Sequence, residues 1–92
     1  MQAIEALEKA AAHLKDRASL RDTPQGERSM AKTVAAFNAI YGFNLTETQG
    51  WQFMVLLKIV RGSQGEFVAD DFEDQAAYSA LAGESDYKLR GV

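Results

Sequence analysis

Six side chains in the second half of this sequence are the ones whose types and spacing suit chemistry: Lys58, Arg61, Asp70, Asp71, Asp74 and Tyr78. Lys58 and Arg61 are three apart, and Asp70, Asp74 and Tyr78 follow at intervals of four, so on helices each set shares a face. If the two helices are antiparallel neighbours, the basic end of one lies beside the acidic end of the other. Such a cluster has two uses. One is structural: Lys58 or Arg61 pairs with Asp74 and holds the helices together, with Tyr78 alongside. The other is an anion or metal pocket, in which Lys58 and Arg61 contact phosphates and Asp70, Asp71 and Asp74 hold a divalent ion. Magnesium asks for several oxygen ligands at near-octahedral geometry, which this acidic run supplies thinly. The structural use is therefore the expectation, with no cofactor, and Mg2+ enters only under the alternative.

A second set, Lys15, Arg17, Arg21, Arg28 and Lys32, offers a weak basic patch for nucleic acid. Asp16, Asp22 and Glu27 interrupt it, and thirteen acidic against ten basic residues give a net charge of -3, which argues against a phosphate-seeking surface. His13, the one histidine, has no partner nearby in sequence and reads as a boundary residue. Without cysteine there is neither a disulfide framework nor zinc–thiolate ligation.

Ninety-two residues suit one domain with a modest core, spanning 1–92. The first residues carry charge from Glu5 onward and do not resemble a secretory signal. The longest apolar run, 53 to 57, is far short of the roughly 20 residues a membrane helix needs. The expected location is the cytoplasm of a host cell.

Four periodic segments must position these side chains. Ile4, Leu7, Ala11, Leu14 and Ala18 stripe a helix over about 3–18. SLRDTPQG, 19–26, then reads as a connection, with Leu20 tucked onto the core. Met30, Val34, Phe37 and Tyr41 stripe a second helix over 27–41, with Glu27 in its first turn and Gly42 as its stop. Thr46 with Gln49 forms a capping box for a third helix, 47–61. In this helix eight of the eleven residues from Trp51 to Arg61 are apolar and circle the wheel, which predicts a central helix packed on several sides. A fourth helix, 71–82, is expected to start at a cap on Asp70 with Glu73 in the capping-box position, and to stop at Gly83 before a loose tail, 84–92. Short connections between four helices predict a compact all-α bundle without strands. Any self-association would then use a helix face, since there is no strand edge.

The segments GERSMAKTVAAFNAIYG (26–42), LTETQGWQFMVLLKIVRG (45–62) and DDFEDQAAYSALAGE (70–84) resemble a family of small phage and prophage proteins. That family brings no established function with it; with little in the chain that suits catalysis, the expectation is an accessory protein acting by self-association or by contact with a host or phage protein. More remotely, the acidic run is similar to the all-α, MazG-like NTP pyrophosphohydrolases, which implies a magnesium-dependent nucleotide site as the alternative. Those enzymes set a Glu-Glu-x-x-Glu helix against a helix bearing Glu-x-x-Asp. Here Asp70 or Asp71 with Asp74 matches only the second half, and Lys58 and Arg61 stand where acids are wanted.

Overall fold

The computed structural model describes residues 1–21 and 29–91, and places four helices in them: α1 (Ala3–Arg21), α2 (Ser29–Tyr41), α3 (Glu47–Gly62) and α4 (Ala69–Arg90). They form an all-α bundle with short connections, and no strand occurs among the described residues. Most of the connection expected at 19–26 lies outside the described residues, as do Glu27 and the side chain of Leu20; residues 19–21 continue α1.

α3 and α4 form the main pair. α1 packs on α4 and α2 packs on α3, while α1 and α2 do not pack on each other. Leu14 of α1 joins Met30 and Val34 of α2 in one apolar cluster with Trp51, Leu81 and Ala82. The two outer helices therefore lie on the same side of the α3–α4 pair.

The turn between α2 and α3 is built as its residues suggest. Gly42 takes a left-handed φ of 72° and its N–H donates to Asn38 O. The Asn38 amide then satisfies both backbone groups of Leu45, accepting from its N–H at 2.9 Å and donating to its carbonyl at 3.0 Å. The capping box closes reciprocally, with Gln49 N–H donating to Thr46 Oγ1 and Thr46 N–H to Gln49 Oε1. One turn later, Gly50 lets α2 approach α3. A Cβ built there would lie 2.7 Å from Val34 Cγ1 and 2.5 Å from Met30 Sδ.

Three expectations are corrected. First, α3 is not enclosed. Of its eight apolar residues from 51 to 60, only Trp51 is buried, because α3 has helices on two sides only. Phe53, Leu56, Ile59 and Val60 remain exposed. Second, α4 starts at Ala69, with Val68 at the cap position and no side-chain cap. Asp70 and Asp71 sit inside the first turn, where the helix dipole favours anions. Third, α4 does not stop at Gly83. Ser85 is buried and hydrogen-bonded to Thr48 at 2.9 Å, which holds the segment expected as a loose tail in the helix. Lys88 and Arg90 pair with Glu84 and Asp86, and the stop is Gly91, whose φ is 72°.

The Gly50 crossing gives a direct test. Alanine at this position removes an interior-helix glycine, a gain of about 1 kcal/mol, but must displace the stiff Val34 side chain and shift Met30, and overpacking of this kind costs about 1–3 kcal/mol. Gly50→Ala is expected to lower unfolding stability by about 1 kcal/mol in urea titration; an equally or more stable variant would show that the crossing does not depend on glycine.

A candidate charged site joining three helices

α4 carries two stripes that face different neighbours. Asp71, Gln75, Tyr78, Ala82 and Ser85 face α3: Gln75 donates to Lys58 O, Tyr78 stacks on Trp51 at 5.8 Å, and Ser85 meets Thr48. Asp70, Glu73 and Asp74, followed by buried Ala77 and Leu81, face α1 or border it. The two stripes meet at Asp74, and there a charged network forms.

Asp74 is buried, at 5% exposure. Lys58 Nζ from α3 lies 2.8 Å from its Oδ2, and Arg17 from α1 reaches its Oδ1 at 3.7 Å. The Arg17 guanidinium also lies over the Tyr78 ring, 5.1 Å from the centroid, a cation–π geometry. Lys58 Nζ is 4.0 Å from Asp70 Oδ2. His13 from α1 completes the cluster, its Nε2–H donating to Glu73 Oε1 at 3.1 Å and standing 3.7 Å from Asp70 Oδ1. Three carboxylates thus face Lys58, Arg17 and His13.

The hydrogen bond that Lys58 donates to the Asp74 carboxylate is the main reason that its ammonium is held above its ordinary pKa of 10.5; burial works against it and the Asp74 charge adds to it.

Of the sequence-derived site residues, Lys58, Asp74 and Tyr78 come together. Arg61 does not reach Asp74. It is 62% exposed, and its Nε lies 3.9 Å from Asp71 Oδ1, on the α3-facing stripe. Asp71 is thereby set apart from Asp70 and Asp74, so these three aspartates do not form one ligand set. The described group with metal-ligand geometry is instead His13, Asp70 and Glu73, whose donor atoms lie within 4.8 Å of one another. In the basic patch, Lys15 and Lys32 are exposed on helices whose backbones do not pack together, and Arg17 is turned into the network. The side chain of Arg21 and all of Arg28 lie outside the described residues. Sequence reasoning passed over His13 and Glu73 as site members and placed Arg17 in the basic patch rather than in this network. Their partners are some sixty residues away (His13 to Glu73 spans 60), so no local spacing marks them.

Truncating Asp74 leaves the Lys58 ammonium short of its closest partner, and removing one partner of a buried pair costs about 3–5 kcal/mol. Asp74→Ala is expected to lose about 3 kcal/mol at neutral pH in urea titration, whereas Lys58→Met/Asp74→Leu, which removes both charges, recovers much of it. The raised Lys58 pKa fixes the pH behaviour. Its stabilisation is complete below 10.5, the unfolded value, and disappears as pH climbs through the higher folded one. The gap between wild type and Asp74→Ala should therefore hold from neutral pH upward and shrink in strong alkali. A gap under 1 kcal/mol, or one that closes near neutrality, would defeat the assignment of Lys58–Asp74 as a structural joint.

No curated protein and no solved structure matches this chain. Among the described residues, no helix is long and apolar enough to cross a membrane. A family model described as a domain of unknown function, DUF6378, matches residues 5–86. The chain belongs to that family, a phage- and prophage-associated domain of unknown function.

Proposed function

We propose that this protein is a phage-encoded accessory protein that works by binding another protein surface through the uncovered side of its α3–α4 pair. One observation carries the reading. Both α1 and α2 lie on the opposite side of that pair, which leaves a groove lined by Gln52, Val55 and Leu56 of α3 and Ser79, Gly83 and Asp86 of α4. Exposed apolar side chains adjoin it: Phe53, Ile59 and Val60 on α3, and Phe72 of α4 stacked with Phe67 at 5.6 Å. Large apolar side chains left exposed in this number are what an interaction surface offers, and a groove between two helices is a common seat for a partner helix.

A photo-crosslinking amino acid in place of exposed Gln52, compared with the same group at exposed Lys9 on α1, tests this in phage-infected or lysogenic cells. Adducts are expected from position 52 and not from position 9. Equal yields from both, or none from 52, would overturn the reading.

The second reading, a metal-dependent nucleotide site, is favoured by the group His13, Asp70 and Glu73, one nitrogen and two carboxylates on two helices. Such a mixed set suits manganese or zinc better than magnesium. A pyrophosphohydrolase of the MazG-like kind would need more free carboxylates than α4 offers, since Asp74 is engaged by Lys58 and Arg17. Manganese titration decides it. Broadening of the His13 ring resonances that saturates below about 1 mM and is lost in Glu73→Gln would support a site. Unselective or absent broadening would exclude it, and a screen of deoxynucleoside triphosphates for pyrophosphate release would test turnover.

A further inference from the structure

Gly83 marks the groove as a place of close approach. Among the described glycines, positive φ occurs at Gly42, Gly65 and Gly91, so Gly83 needs no special backbone conformation. It lies inside α4, where glycine costs about 1 kcal/mol relative to alanine. At Gly50 the chain's own packing supplies the reason for that cost; at Gly83 nothing lies within 4 Å of a built Cβ. The residue is exposed, and it lines the open groove. A second backbone or side chain approaching from outside would supply the missing reason.

Resting on the reading that this face is an interface, we propose that it binds a second copy of this chain across a two-fold axis, with Leu56 of each copy seated over Ser79 and Gly83 of the other. Three observations support a copy rather than an unrelated chain. The face carries both parts of the fit: a small-residue floor at Ser79, Ala82 and Gly83, and a protruding rim residue, Leu56. Two-fold closure satisfies knob and hole on both copies at once.

Charge agrees with this. A two-fold interface brings like groups together, and a like-charge meeting costs affinity. The outer face of α3 from Gln49 to Val60 has no charged side chain, Lys58 being turned to Asp74. The groove's Asp86 is neutralised within its own helix by Arg90, 2.7 Å away.

Area agrees as well. Phe53, Leu56, Ile59, Val60, Phe67 and Phe72 are 41–65% exposed. At about 200 Å² for a large apolar side chain, they offer roughly 650 Å². A standard interface buries about 800 Å² per partner, polar rim included.

Sedimentation velocity of the purified protein, with circular dichroism as a check on folding, tests the proposal. The wild type is expected to sediment as a dimer at about 50 µM. Gly83→Leu, which fills the groove floor, should weaken dimerisation at least about tenfold, with helical content retained. Leu56→Glu, at an exposed position, should do the same and stands in if Gly83→Leu fails to fold. A wild type monomeric at about 0.5 mM, or a dimer that survives both changes, overturns the proposal. A monomer that still crosslinks another protein from position 52 would defeat the two-fold dimer and leave the broader interface reading intact. Absence of adducts from that position would defeat both.

Discussion

Asp74 is the point at which three of the four helices become one structure. A carboxylate at 5% exposure is tolerated only when charged partners replace the water it has lost. Here the partners come from two other helices: Lys58 from α3 at 2.8 Å and Arg17 from α1 at 3.7 Å. Meeting that requirement fixes the register of α3 on α4 and of α1 on α4 together. It also places Arg17 over Tyr78, whose ring is already stacked on Trp51. Apolar burial cannot fix register so sharply in this protein. Among the described residues the buried apolar ones are few, and three of the seven are alanines. Alanines let helices approach but tolerate sliding.

This division of labour explains why α4 is a poor amphipathic helix. It serves three environments at once: Asp71, Tyr78 and Ser85 toward α3, Glu73, Asp74 and Leu81 toward α1, and Ser79, Gly83 and Asp86 toward the open groove. Its apolar residues therefore never gather on one side. A helix with polar groups directed inward needs those groups matched, and here each inward polar residue has its partner: Ser85 has Thr48, Gln75 has the Lys58 carbonyl, and Glu73 has His13.

The same reasoning separates what was legible in the sequence from what was not. The capping box at Thr46 and the stop at Gly42 are local devices, and the chain adopts both. The four periodic segments become four helices. The end of α4 was not legible, because Gly83 carries the ordinary signature of a helix stop. What overrides it is tertiary: the Thr48–Ser85 bond and the pairs closing the last turns. The start of α4 was misread for a related reason. Glu73 is drawn to His13 on another helix, so no capping box forms around Asp70. The charged cluster was half legible. Spacing put Lys58 opposite the aspartate run, since a short loop makes α3 and α4 neighbours, but His13 and Arg17 enter from the far end of the chain. The apolar circle on α3 was read as burial within one chain, whereas helix packing leaves its outer face bare.

That bare face follows from the number of helices. A helix hydrophobic all round needs neighbours on all sides, and α3 has two, with α1 and α2 committed to one side of the α3–α4 pair by their shared cluster at Trp51. The chain supplies no further described helix to cover the remaining side. Unless something covers it, Phe53, Leu56 and Val60 stay more than half exposed and forgo roughly half of the about 1.5–3 kcal/mol that full burial of such a side chain brings. Charges on α3's outer face would remove that exposure cheaply, yet α3 directs its one central charge, Lys58, inward to Asp74. The inward lysine and the outward leucine are thus two sides of the same arrangement: α3 places its charge where the fold needs a joint and keeps its apolar side chains where a partner would bury them.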